Sequence, residues 1–364
     1  KEDAARRDFT LNALIYDVKN EMIVDYTGGF EDIQNRVVRV IGNPDISFPE
    51  DPVRMYRAVK FAALLNLDLD VNTYRAIQKH KYLLPKASTS RMHEEYNKIF
   101  RSGHSAKIFA ALNHSGLLET LMPAVARGEN LQPELDEYGF LETGLGRRLS
   151  IADRMIQEHE DVNLNIYYAL LIAGSLAEVI SKNVRDHEKT LERKLREPLQ
   201  VLQKDISLTK REFDTMMQIF TVQNNFRRNV TERKGWVKEF QMRHIFQEAF
   251  IVYKIIARAA EDEDALQKAL FWEIGLRHKL HESIRKNSTE NLDIDDNPSE
   301  PQQAPQQPRP ARRPQPAATE SSPEAGEGPK KRRRRGRRRP RRNSGNAGEG
   351  APAQNNDTPA SQDE

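Results

Sequence analysis

A chain of 364 residues is long enough for two or more folded units. With 0 Cys it forms no disulfide and no thiolate metal site, which fits a reducing cytoplasm, and no run of eighteen apolar residues suggests a membrane partner. The net charge of +3 hides a division: residues 301–364 carry net +7 and residues 1–300 net −4, so the basicity that would attract a polyanion lies in the tail.

In chain order, the first distinctive block is Arg6-Arg7-Asp8-Phe9-Thr10 with Asn12, a basic pair beside an acid, suited to phosphate and hydroxyl respectively. Residues 12–17 and 22–25 predict a hairpin turning around Lys19-Asn20-Glu21, and residues 37–41 predict a further strand. Between them Asp25-Tyr26-Thr27-Gly28-Gly29 with Asp32 supplies two adjacent glycines, the backbone freedom of a turn or a hinge. The folded part is expected to divide near Asn43, with nothing beyond it calling for a strand.

Glu50 to Phe61 reads EDPVRMYRAVKF. Asp51 suits an N-cap and Pro52 the first helical position, where a missing N–H costs nothing, so a helix is expected from Pro52 to Asn66. Asp51, Arg54, Arg57 and Lys60 then recur every third residue as a charged ridge, while Met55, Val59 and Ala62 form an apolar line. A carboxylate beside a guanidinium offers acceptors and a planar fork of donors, which can read the edge of a nucleobase.

Further helices are expected over residues 71–82, 90–101 and 107–114, with Gly116 just past the last. Residues 119–133 read as a break containing Pro123, Gly128 and Pro133. A second helical region follows from about 147 to 285, including helices over 163–181, 209–224, 236–243 and 244–260. Phe220, Phe226, Arg227, Arg228, Arg233, Lys234 and Trp236 form a basic and aromatic cluster that suits either RNA contact or core packing. From Asn287 onward, high proline content and the absence of aromatics predict disorder, since such a segment cannot bury enough apolar surface to offset its ordering entropy. Within it Lys330, Lys331, Arg332, Arg333, Arg334, Arg335, Arg337, Arg338, Arg339, Arg341 and Arg342 form a run that binds RNA phosphates without regard to sequence. The histidines are scattered singly, and neither a P-loop nor a G-x-S-x-G elbow occurs.

The Arg6 block, the Asp25 to Asp32 element, Ile41-Gly42 and the Glu50 to Phe61 stretch occur in that order within about sixty residues. Together they resemble the class II nucleotidyltransferases that extend RNA 3′ ends without a nucleic-acid template, the bacterial poly(A) polymerases and CCA-adding enzymes. The resemblance implies an α+β chain: the remnant of a nucleotidyltransferase α/β head over 1–42, an all-α neck binding base and RNA over 43–125, a helical RNA-binding body over 126–286 and the disordered Arg-rich tail over 287–364. It implies that Arg6, Arg7, Asp8 and Asn12 meet the ribose and triphosphate of the incoming nucleotide. Asp51 and Arg54 would pair with its base, Glu50 would orient Arg54, and Arg57 would bind phosphate. Lys60 stands where the family commonly has arginine, keeping the charge but losing the bidentate fork. Asp25, Gly28, Gly29 and Asp32 would form a hinge between head and neck.

The implied reaction transfers AMP from ATP to RNA 3′ ends, with two Mg²⁺ ions held by paired aspartates expected upstream of the Arg6 block, so this sequence holds no metal ligand of that set and is expected not to catalyse by itself. The implied partners are RNA 3′ ends, ATP and the RNA-decay machinery, in the cytoplasm. The basic run favours a poly(A) polymerase over a CCA-adding enzyme, because unspecific phosphate attraction suits varied RNA ends. The alternative of another class is a non-catalytic RNA-binding protein.

Overall fold

A computed structural model describes residues 2–133, 135–160, 162–228 and 234–274, all within a unit spanning Lys1–Asp296. The tail from Asn287, and with it the whole basic run, lies outside the described residues. The chain opens with α1 (Glu2–Ala5), a 3-10 turn at Thr10–Asn12, and the hairpin β1 (Ile15–Asp17) and β2 (Met22–Val24), paired antiparallel. Helix α2 (Gly29–Gln34) and strand β3 (Val37–Val38) follow. Then come α3 (Pro44–Glu50), α4 (Val53–Leu65), strand β4 (Asp68–Leu69) and α5 (Val71–His80).

Strand β4 corrects the expectation that nothing beyond Asn43 is extended: it pairs in parallel with β3, Val37 opposite Asp68 and Val38 opposite Leu69. Two residues are too few for an alternation signal, and their partner lies 31 residues upstream, so the pairing is fixed by tertiary context. The crossover is tied at its ends by side chains. Arg39 donates to Asp70 at 2.5 Å, and Arg36 donates to the backbone carbonyl of Asn66 at 2.5 Å. Asp70 also caps α5 by accepting from the Asn72 and Thr73 N–H groups.

Beyond α5 a 3-10 stretch (Lys81–Lys86) leads to α6 (Thr89–Arg101) and α7 (Ser105–His114). The expected break at 119–133 holds two short helices, α8 (Leu117–Leu121) and α9 (Pro123–Gly128). Pro123 takes the first position of α9 and so starts a helix rather than ending one. The body comprises α10 (Glu137–Leu141), α11 (Gly144–Gln157), α12 (Leu164–Lys182), α13 (Glu188–Asp205), α14 (Lys210–Thr221), α15 (Gln223–Phe226), α16 (Lys234–Gln241) and α17 (Phe246–Ala259). The fold is α+β and dominated by helix, as the sequence indicates.

Helix α12 has the length and apolarity of a membrane span. Its residues Ile166 to Ala173 are nevertheless buried, with α9, α11, α13, α14 and α17 packed around the helix. Asp153 is matched inside this core: it accepts from the Ser105 hydroxyl at 2.7 Å and the Ala106 N–H at 2.8 Å, capping α7 from another helix. Burial pushes its carboxyl above the usual range despite those bonds.

The aromatic cluster around Phe226 is core. Phe226 is fully buried against Phe240, Phe246, Phe250, Tyr253 and Trp272, and Trp236 stacks on Phe240 at 5.5 Å. Arg233 lies outside the described residues.

Candidate nucleotide site

The segment around Asp8 runs beside residues 39–41: the Thr10 N–H donates to the Arg39 carbonyl at 3.0 Å, and the Ile41 N–H to the Asp8 carbonyl at 3.1 Å. Phe9 is fully buried and meets Phe61 of α4 edge to face at 5.7 Å. This anchors Asp8 above the first turns of α4.

Asp51 ends α3, its side chain accepts from the Val53 N–H at 3.2 Å, and α4 begins at Val53 with Pro52 as the linking residue. The start therefore falls one residue later than the sequence suggests. Met55 and Val59 face the core, with Ala62 at its edge, leaving Asp51, Arg54 and Arg57 partly exposed on the other side. Asp8 joins two of them: Arg54 Nε donates to Asp8 Oδ1 at 3.0 Å, and Arg57 contacts Asp8 Oδ2 at 2.5 Å. Arg54 is held a second time through Nη1, which donates to the Ser47 hydroxyl of α3 at 2.8 Å. Glu50 stands 4.0 Å from the same Nη1, and Asp51 stands 3.9 Å from Arg54 Nε. Asp51 is held instead by Arg91 of α6 at 2.7 Å.

These side chains rim a cleft of about 380 Å³ lined by Arg6, Arg7, Ile41, Asn43, Ser47, Glu50 and Arg54, a volume within the range of ligand pockets. Arg6 is exposed on its wall, and Arg7 pairs with Asp3 at 3.2 Å. Asn43 caps α3 from the cleft edge, its Oδ1 accepting from the Asp45 N–H at 2.9 Å. The structure thus brings Arg6, Arg7, Glu50 and Arg54 to one hollow, with Asp8, Arg57 and Asp51 fixed behind it. Asn12 spends its side-chain oxygen on the Phe9 N–H at 3.3 Å.

Lys60 leaves the ridge. Its ammonium is buried and bonded to Glu95 of α6, which also accepts from Lys98 at 2.7 Å. The three-residue spacing is real, but α6 covers α4 at this level and turns the fourth charge inward.

The glycine element divides as well. Gly28 has a φ of +79°, a conformation that needs glycine. Gly29 has another cause: a Cβ there would lie 2.1 Å from the Thr10 carbonyl oxygen. Asp32 is buried, accepting from the Thr10 hydroxyl at 2.7 Å and from Arg39 at 3.1 Å, and Asp25 folds the turn by accepting from the Thr27, Gly28 and Phe30 N–H groups. Asp25's carboxyl is held below its usual range, chiefly by the Phe30 N–H.

The donor set does not fit a pair of divalent ions. Asp8 and Asp51 are committed to guanidinium groups, and among the described residues no three His, Asp or Glu side chains gather into a group able to hold a metal. A larger hollow of about 1080 Å³ lies in the body, between the end of α6 and the starts of α12, α14 and α17, away from the motif residues. Ser47 and Arg91, which hold Arg54 and Asp51, had no sequence signal: each reaches its partner from a different helix.

Two family models match the chain: "Poly A polymerase head domain" over residues 1–39 and "Probable RNA and SrmB-binding site of polymerase A" over residues 66–128. Among curated relatives, poly(A) polymerase I of Salmonella typhimurium is 34% identical over 184 residues, covering 50% of this chain and 38% of that protein. Poly(A) polymerase I of Escherichia coli O157:H7 is 39% identical over 127 residues, covering 35% and 27%. The CCA-adding enzyme of Lactobacillus helveticus is 39% identical over 146 residues, covering 40% and 36%. The chain thus spans less than two fifths of the length of these relatives. Among solved structures, the Bacillus stearothermophilus CCA-adding enzyme in complex with CTP aligns over 76% of this chain and 59% of that one, at 23% identity and a TM-score of 0.47. The matched head and RNA-binding segments lie on either side of α4, and over them the chain is similar to bacterial poly(A) polymerases and CCA-adding enzymes.

Proposed function

We propose that this chain supplies the nucleotide-selecting and RNA-holding part of an enzyme that adds AMP from ATP to RNA 3′ ends. The observation that carries the reading is Asp8 holding Arg54 and Arg57 together, because it joins two motifs 46 residues apart at the wall of one cleft. In this reading Arg6, Arg7 and Arg57 attract the triphosphate, Arg54 presents its fork and Asp51 its acceptors to the base, and Glu50 steadies Arg54. Asp8 acts first as the positioning group for two arginines, with its remaining lone pairs open to a ribose hydroxyl. Gly28 is the residue on which a head-to-neck hinge would turn. We divide the chain into a head segment (1–42), a neck (43–125), a body (126–286) and a tail (287–364), the last three contacting RNA, in an enzyme of the bacterial cytoplasm that works with the RNA-decay machinery. The Mg²⁺ ligands would come from outside this chain, since the carboxylates at its cleft are already paired.

The similarity to the Lactobacillus helveticus CCA-adding enzyme supports a second reading, CMP and AMP addition to tRNA. Fusion of the chain behind the N-terminal head of a relative separates the two. Long AMP tracts on unrelated RNAs, abolished by Arg54→Ala, are expected; CMP incorporation confined to tRNA would replace the first reading by the second. Without such a head, the purified chain is expected to incorporate no AMP.

A further inference from the structure

From Val71 to His93 the chain carries five Lys or Arg and no Asp or Glu. Helix α5 opens this stretch and divides cleanly: Thr73, Ala76, Ile77 and His80 are buried, while Val71, Tyr74, Arg75 and Lys79 face outward. In the 3-10 stretch that follows, Tyr82 and Lys86 are exposed as well. The Tyr82 ring is 63% exposed and the Tyr74 ring 39%. On this outer surface Lys79 meets Asp45, whereas Arg75 and Lys86 form no ion pair among the described residues.

Nothing in the fold accounts for such a surface. A tyrosine ring left in water forgoes the stability that burial would return, and Arg75 and Lys79 stand four residues apart, where like charges repel. Rings beside unpaired cations suit a single strand of nucleic acid. Its bases stack on the ring faces and its phosphates take the cations, and neither contact reads sequence. A duplex instead keeps its bases stacked on one another and offers phosphates and 2′-hydroxyls.

The inner side of α5 is fastened to the wall of the nucleotide cleft. His80 Nε2 and Lys79 Nζ both meet Asp45 Oδ1 in the first turn of α3, at 2.7 Å and 2.9 Å, and Ser47 and Glu50 of the same helix line the cleft. The Val40 N–H donates to the Thr73 hydroxyl at 3.3 Å, one residue before Ile41 of that lining. The exposed tyrosines thus sit on the far side of a helix that abuts the cleft.

We propose that the outer face of α5 and the 3-10 stretch after it form a stacking platform for a single RNA strand, Tyr82 and Tyr74 taking bases while Arg75 and Lys86 take phosphates. The proposal rests on the reading of the neck as RNA-holding and names the surface, the residues and the form of RNA.

The test is filter binding of the full chain and its variants to an unstructured single-stranded RNA and to the same RNA annealed to its complement. Tyr82→Ala and Tyr74→Ala should each weaken the single strand about tenfold, as loss of one stacked base does, and leave the duplex unchanged. Tyr82→Phe should keep the affinity, because its ring offers the same face. The slope of log affinity against log salt should be unaltered in the tyrosine variants. In Arg75→Ala/Lys86→Ala it should become shallower by about 1.4, two contacts at roughly 0.7 each. The basic tail is common to all variants, so ratios between them are free of it. With 5-iodouridine in the strand, irradiation should join RNA to Tyr82 or Tyr74, as mapped by mass spectrometry, and circular dichroism checks that helix content is retained. Equal losses on single strand and duplex overturn stacking, since a duplex has no free bases. Unchanged single-strand affinity in both alanine variants overturns the platform and leaves RNA holding to other parts of the chain. No binding of RNA by the parent chain overturns the RNA-holding reading itself.

Discussion

Lys60 and Glu95 show how far a single residue's role can depart from its spacing. From the sequence Lys60 is the fourth step of a charged ridge, yet it is buried with its ammonium on Glu95. A buried pair is expensive to break on one side only, because the remaining charge keeps its desolvation cost without its partner. Glu95→Gln is accordingly expected to cost about 3 kcal/mol or more in urea unfolding, whereas Lys60→Met with Glu95→Leu should lie much closer to the parent. Burial alone would raise the Glu95 carboxyl, but the hydrogen bonds from Lys60 and Lys98 outweigh it and hold the carboxyl below the usual glutamate range. A depressed carboxyl stabilises the fold above its unfolded value and loses that contribution as pH falls through the folded one. The parent should thus lose stability below about pH 4.5 more steeply than Glu95→Gln, as thermal melts between pH 3 and 6 would reveal. At the cleft, Arg6, Arg7, Asp8, Asp51, Arg54 and Arg57 were legible because each belongs to a short motif. Ser47, Arg91 and Glu95 were not, because their partners lie on other helices and no local pattern records that.

Among the elements, α12 and α14 were readable as helices over residues 163–181 and 209–224, and the structure starts them with Asn163 as a cap and with the capping box of Thr209 and Glu212. What escaped includes the short β4, α8 and α9, each made by its neighbours more than by propensity, and the longer α11 and α13, which fell inside a stretch read only as helical. The pairing of β3 with β4 nonetheless ties residues 37–38 to the chain beyond α4. Cleavage at an inserted protease site between Gly42 and Asn43, both exposed, should leave residues 1–42 bound to the rest. The pairs Arg39–Asp70, Asp8–Arg54 and Phe9–Phe61 all cross that cut. Co-elution of the two pieces in gel filtration is the expected result; their separation would show residues 1–42 to be an independent unit. The aromatic hub at Phe226 likewise resolves an ambiguity that composition left open, since six rings facing one another are packing, not a surface for bases.

For the whole molecule, charge is divided unevenly, with net −4 over residues 1–300 and net +7 over residues 301–364. If that run tethers RNA, deleting residues 287–364 should weaken binding to unrelated single strands about equally. Each phosphate contact on a single strand contributes roughly −0.7 to the slope of log affinity against log salt, so engagement of half the run should steepen the intact chain's slope by about three to four. Filter binding at several salt concentrations measures both slopes, and equal slopes would leave the arginines without a role in RNA affinity.

The crossover between β3 and β4 also dictates an order of assembly. Asp8 finds Arg54 46 residues later, and Val37 finds Asp68 31 residues later, so the first forty residues cannot settle until α4 and β4 have left the ribosome. At about 5–20 residues per second, translation leaves them waiting for several seconds. During that interval Phe9, Val38 and Val40, all buried in the finished fold, stand uncovered. Their cover arrives with α4 and β4, which bring Phe61 onto Phe9 and Leu69 beside Val38.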